Sequence, residues 1–264
     1  MKRAVLLIST AVLAACSSPP PAAPGPTAVV HEDIASLVSA TTRAVSEKTS
    51  YRFTVTAPVG GGAVASASGV VRLTAGDGAD VEATTERPVQ TGGAPQKLHY
   101  VSTSEDNAYV ELPPVFGLPA DKPWVKLTRA DTDEFTDTML GFYDLVHQEA
   151  VFTRYHLPII AAGGVVRLSG QFGDRTLYTV DIDHRKAYDA LPDGFLKNEV
   201  KIALDQGVQA SVAELDFDRA GLPTRLKVSR QFGQATIVDD ARFTDWGTSA
   251  RVVDPVPAVV SQRN

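Results

Sequence analysis

Residues 31–56 read HEDIASLVSATTRAVSEKTSYRFTVT, and within that stretch the apolar spacing changes once. Ile34, Leu37, Val38, Thr41 and Val45 fall at i, i+3, i+4, i+7 and i+11, which is one face of an amphipathic helix. Glu32 and Asp33 stand in its first turn, where the helix dipole favours acids. Thr49-Ser50 ends the pattern. From Tyr51 the period becomes two, with Tyr51, Phe53 and Val55 on one face of a strand. A helix leading into a strand, followed by more strands, predicts helices packed on an antiparallel sheet rather than a βαβ array.

Downstream the strands continue. After a Gly60-Gly61-Gly62 turn, strands are expected over 69–73 and 80–85. Residues 97–103 and 107–112 read as a hairpin bent at Glu105-Asp106-Asn107. A short strand follows at 123–127. The middle turns helical: Asp131, Asp133 and Glu134 supply a cap and first-turn acids, and Phe135, Met139, Phe142 and Val146 follow at helical spacing. Residues 151–160 form a second apolar stretch, interrupted at Pro158. Strands resume at 165–169 and 175–183, around a hairpin at 170–174. Residues 188–204 are ambiguous and compatible with helix. Three last strands are expected at 213–218, 224–229 and 236–243. The fold class is therefore α+β, a single twisted sheet of about nine to eleven antiparallel strands, half closed around the helices.

The N-terminus carries a different signal. Met1-Lys2-Arg3 is a basic head, and residues 4–15 read AVLLISTAVLAA. Twelve residues of helix span about 18 Å, short of a hydrocarbon core of roughly 30 Å. This is the pattern of an export signal. Leu13-Ala14-Ala15-Cys16 looks like a lipobox, in which the cysteine thiol receives a diacylglyceryl group and the chain is cut just before it. Cys16 is the one cysteine in 264 residues. Residues 17–30, SSPPPAAPGPTAVV, hold five prolines and no amphipathic period. They read as a tether, with a reach of roughly 20 Å as a coil. The expected organisation is a signal peptide over 1–15, an acylated cysteine and Pro-rich tether over 16–30, one domain over 31–257, and a polar tail over 258–264.

Charge and chemistry exclude several classes. The chain has 25 Lys and Arg against 31 Asp and Glu, with no basic cluster, which argues against nucleic acid as a partner. One cysteine excludes an intramolecular disulfide and a cysteine-built zinc site. The Gly60-x-Gly62-x-x-Ala65 spacing matches a dinucleotide fingerprint but precedes a strand rather than opening a helix. Asp216-x-Asp218-x-x-Gly221 has Lys227 where a calcium loop requires glutamate, so it reads as a turn. His31, His99, His147, His156 and His184 make no i, i+4 pair, though His147 and His156 flank the helical break and could meet. No spacing sets a base beside a nucleophile, so neither an enzyme nor a cofactor or metal is expected.

Three stretches carry a family likeness: Ala108-Tyr109-Val110-Glu111-Leu112-Pro113 with Lys122-Pro123-Trp124-Val125-Lys126-Leu127; Thr176-Leu177-Tyr178-Thr179-Val180-Asp181; and Phe243-Thr244-Asp245-Trp246-Gly247 through Pro255. In this order, behind a lipobox and a tether, the chain resembles the LppX/LprA/LprF/LprG lipoproteins, which share the LolA-like fold. The resemblance implies an open half-barrel sheet with helices over its concave face. Between them it implies an apolar cavity for acyl chains of envelope lipids or lipoglycans, in a protein anchored by lipid to the extracytoplasmic face of the cell membrane. The expected walls are Phe53, Val55, Val71, Leu73, Tyr100 and Val110 from the sheet. From the helical side they are Phe135, Met139, Phe142, Val146, Phe152 and Ile159. The alternative is a scaffold or sensor that binds another envelope protein, because this fold serves both roles.

Overall fold

The computed structural model describes residues 29–58, 64–75, 78–87, 95–104 and 106–261. The lipobox with Cys16, the Gly60-Gly61-Gly62 turn and Glu105 lie outside the described residues.

Helix α1 spans Ile34–Ser46, and its N-cap is Asp33, whose side chain accepts from the Ser36 N–H. The Ser36 N–H, the Ser36 hydroxyl and the Ala35 N–H hold the Asp33 carboxyl below its ordinary range. Six strands follow as a meander: β1 (Ser50–Pro58), β2 (Val64–Leu73), β3 (Ala79–Arg87), β4 (Gln96–Ser102), β5 (Asn107–Glu111) and β6 (Trp124–Thr128). Two helices come next, α2 (Glu134–Ala150) and α3 (Phe152–Gly163). Pro158 lies inside α3 rather than ending it. The second meander begins with β7 (Gly164–Phe172) and β8 (Arg175–Asp183). The ambiguous stretch resolves into α4 (His184–Ala190) and α5 (Phe195–Asp205), broken at Leu191-Pro192. Strands β9 (Ala210–Phe217), β10 (Pro223–Phe232) and β11 (Ala235–Thr244) complete the meander.

With a short β12 at Val260–Ser261, the strands of the described residues join one open sheet in the order β12-β6-β5-β4-β3-β2-β1-β11-β10-β9-β8-β7. The two meanders meet where β1 pairs with β11, Phe53 opposite Phe243. The twelve strands exceed the nine to eleven expected because Val260–Ser261 adds β12, which pairs parallel to β6. Those two residues fall in the stretch expected to be a polar tail. Two residues alternate too briefly to leave a periodic signal.

Burial alternates along β1, β5, β8 and β9, and the helices cover the inward face. Tyr51, Phe53, Val55 and Ala57 of β1 are all buried there. Phe53 lies opposite Gly69 of β2. A Cβ at Gly69 would stand 2.0 Å from the Glu82 carbonyl oxygen, so the close approach of β2 and β3 requires glycine. The outward face carries ion pairs between strands: Arg175–Asp216, Lys227–Glu214 and Arg225–Asp240. Asp218, flagged above in a turn, accepts from the N–H groups of Ala220 and Leu222.

Candidate functional site

The interior divides into two main apolar clusters. The larger holds Phe53, Val71, Phe152, Ile160 and Phe243 under α1 and α3. The smaller holds Tyr100, Val110, Val125, Leu127 and Met139 under the first half of α2. A crevice opens at the seam between them, bounded by Val55, Ala67 and Val146 of the larger cluster and by Leu98 and Met139 of the smaller. Its cause is local. Val55 pairs with Ala67 and Ala57 with Ala65, so at this end β1 and β2 offer small side chains to α2. Phe142 and Leu145 of α2 border the space from above. Ser66, Glu86 and Gln96 add polar groups to the lining. The volume is about 40 Å³.

Of the twelve expected wall residues, Val55, Met139, Phe142 and Val146 line this crevice. Phe53, Val71 and Phe152 are packed within the larger cluster, and Tyr100, Val110 and Phe135 within or against the smaller. Leu73 borders a groove between α1 and α3, and Ile159 borders a chamber of mixed lining under α5. The elongated cavity implied by the resemblance is thus a short crevice here, with most of its expected wall in solid core. Residue periodicity placed Phe53 and Val55 on one strand face and Phe135, Met139, Phe142 and Val146 on one helical face, and the resemblance implied the rest. Neither registered that Ala57, Ala65 and Ala67 leave the gap.

The second feature mixes polar groups with an apolar lining that includes Ile159, Ile160, Leu196 and Val200. Beneath α3 and α5, a chamber of about 110 Å³ is bordered by Glu149, His156, His184, Ser211 and Arg230. Glu149 is fully enclosed and faces His156 at 3.2 Å. Burial alone would raise its pKa, but His156, and Arg230 beyond it, reverse the sign and hold Glu149 below the ordinary glutamate range. Arg230 on β10 pairs with Asp239 on β11, which is 3% exposed. His184 has its Nδ1 3.0 Å from the Val208 carbonyl and its Nε2 3.0 Å from the Ser211 hydroxyl. A carbonyl only accepts, so Nδ1 carries the proton. Burial lowers the His184 pKa, which keeps the ring neutral. His147 takes Tyr155 as its partner, at 3.1 Å, while His156 takes Glu149. Among the described residues, no group of three or more His, Cys, Asp or Glu side chains is arranged to hold a metal ion.

No family profile matches the chain, and no curated protein matches it in sequence. Among solved structures, it is similar to LprF from Mycobacterium bovis, at 10% identity and a TM-score of 0.47, over 84% of this chain and 96% of that one. It is also similar to MucB in complex with MucA(peri), at 16% identity and a TM-score of 0.34, over 84% of this chain and 58% of that one. A third is the LolA superfamily protein NE2245 from Nitrosomonas europaea, at 8% identity and a TM-score of 0.27, over 87% of this chain and 98% of that one. The architecture itself, an open antiparallel sheet with helices on one face, rests on the strand order and register given above.

Proposed function

We propose that the chain is a bacterial lipoprotein, acylated on Cys16 and held on the extracytoplasmic face of the cell membrane. In this reading the crevice beneath α2 takes acyl chains of envelope lipids or lipoglycans. The crevice carries the reading: its lining is mainly apolar and it lies at a seam between two packed clusters. One wall is alanine and the other is flexible Met139 with Phe142, which suits a variable apolar guest.

A volume of about 40 Å³ holds no more than a few water-sized groups. A chain therefore enters by displacing Met139 and Phe142 and lifting the middle of α2. Each methylene buried contributes about 0.8 kcal/mol, so selectivity follows chain length more than headgroup. Native mass spectrometry of the protein purified from its own host tests this. The expected result is co-purifying lipid, lost when Met139 or Phe142 is changed to Trp. A lipid-free mass from the parent protein overturns the reading. For the anchor, Cys16→Ala is expected to leave an uncleaved or released protein, and a fatty-acid probe still attached to that variant refutes the assignment.

A further inference from the structure

Ser211 and His184 are 27 residues apart, and the β8–β9 register brings them together. Asp183, the last residue of β8, pairs with Ala210, so the chain turns into α4 at His184 beside Ser211, the first inward residue of β9. The Ser211 hydroxyl lies 3.0 Å from His184 Nε2. The Nδ1 proton is committed to the Val208 carbonyl, so Nε2 accepts and the hydroxyl donates. Burial, with the Arg230 charge adding to it, holds His184 below its ordinary range and keeps Nε2 unprotonated at neutral pH. A hydroxyl that donates to a neutral imidazole, whose far nitrogen is fixed by an acceptor, is the arrangement of an activated serine. Here a backbone carbonyl stands where other such sites use a carboxylate.

A third group completes the constellation. Arg230 is paired with Ser211 in the β9–β10 register, so the two side chains are neighbours on the inward face. Arg230 sets its Nη2 against Asp239, and its buried Nε has no hydrogen-bond partner among the described residues. Ser211, His184 and Arg230 all border the chamber beneath α5, whose apolar wall includes Ile160, Val200 and Val228. A pocket of about 450 Å³ adjoins it and shares Gln148, Tyr155, Phe195 and Leu196 in its lining.

We infer that Ser211, His184 and Arg230 form a hydrolytic site beneath α5 for carboxylic esters with a short acyl group. The chamber of about 110 Å³ has room for an acyl chain of about two to four carbons, and the adjoining pocket for the alcohol part. Ser211 Oγ attacks the ester carbonyl carbon as its proton passes to His184 Nε2. The carbonyl oxygen takes the displaced electron pair and becomes an oxyanion facing Arg230. The bond to the alcohol oxygen then breaks, the alcohol leaves with the proton from His184, and acyl-Ser211 remains. Water attacks this second ester while His184 takes its proton. His184 returns that proton to Ser211 Oγ as the carboxylic acid is released. None of the three residues borders the crevice under α2, so the inference does not rest on the lipid reading.

The test treats the full chain, purified in detergent, with an alkyl fluorophosphonate, whose phosphorus bonds to the Oγ of an activated serine as fluoride leaves. Peptide mass spectrometry is expected to place the adduct on Ser211. Hydrolysis of p-nitrophenyl acetate and butyrate is expected to exceed that of the palmitate. His184→Gln should lower kcat/KM by about 10²–10⁴-fold. Ser211→Ala should lower it as far, and the double variant no further, because residues that act as one unit are not additive. Circular dichroism and Tm check that each variant is folded. The inference is overturned by a parent protein without an adduct on Ser211, by an adduct without turnover of any of the esters, or by a preference for the palmitate. Turnover retained in Ser211→Ala, or losses that multiply in the double variant, overturn it as well. The adduct and the turnover are read on the parent protein, so a variant that fails to fold leaves the inference open to refutation.

Discussion

The buried pair Glu149–His156 offers the most demanding test of how the helices are fixed to the sheet. His156→Leu removes the partner nearest an enclosed carboxylate, whose side chain is 5% exposed. Breaking a buried pair by deleting one partner costs about 3–5 kcal/mol, because the remaining charge is left uncompensated. The His156 side chain is 16% exposed and Arg230 also acts on Glu149, so the lower end, about 3 kcal/mol, is expected. For a domain of this size that lowers Tm by about 6–12 °C, at roughly 2–4 °C per kcal/mol. The double variant Glu149→Leu/His156→Leu removes the buried carboxylate together with its partner and replaces them with apolar volume, so it should recover to within about 1 kcal/mol of the parent. Differential scanning calorimetry at pH 7 reads both.

The pH dependence adds a sign. Glu149 is held below its ordinary value, so its contribution is fully present above the unfolded glutamate pKa. It is lost as pH falls through the lower, folded value. The double variant should therefore lose less stability on acidification than the parent. A single variant no less stable than the double one, or equal acid sensitivity in both proteins, would refute the reasoning.

Tyr51→Phe removes the hydroxyl that donates to the Ala150 carbonyl at 2.8 Å in the core, and should cost about 1–3 kcal/mol in urea unfolding. Gly69→Ala forces the β2–β3 backbones apart and should cost at least about 1–3 kcal/mol, with faster amide exchange in both strands. Asp133→Ala deletes the cap that accepts from the Thr136 N–H at 3.0 Å, so α2 should lose about 1 kcal/mol, read as first-turn exchange.

Much of the fold is legible in residue spacing, and the parts that are not share a cause. The period-two runs of Tyr51 to Val55 and of residues 175–183 specify strands because one face must be buried. That requirement marks alternate residues. The β12 pairing is set by where the C-terminal segment reaches β6, a tertiary fact with no local trace. The chamber under α5 sits between these cases. Alternation from Phe243 and Ala241 already turns Asp239 inward, and alternation from Leu226 and Val228 does the same for Arg230. Val146 and Glu149 share a helical face for the same reason. The signal for a buried charge network was present as polar residues at apolar phase. Its meaning depended on β10, β11 and α2 converging, which periodicity alone does not report. The crevice is harder still, because it arises from what alanines at 57, 65 and 67 fail to fill.

These two features act on the same helix in opposite ways. At its C-terminal end, α2 is tied down by the Tyr51 hydroxyl on the Ala150 carbonyl and by the contact between Glu149 and His156. At Asp144, Arg129 holds it through two contacts, at 3.0 and 2.5 Å. On the side facing the crevice, Met139, Phe142 and Val146 meet a floor that includes three alanines. Polar contacts are directional and lost over fractions of an ångström, whereas apolar side chains exchange one neighbour for another at little cost. On the proposed reading, a guest would therefore move α2 where it rests on alanine and leave it where it is hydrogen-bonded. Amide exchange should then change across residues 139–143 on lipid release and stay constant across residues 147–150. Uniform change along the helix would mean that α2 moves as a rigid rod and that the polar end does not act as its pivot.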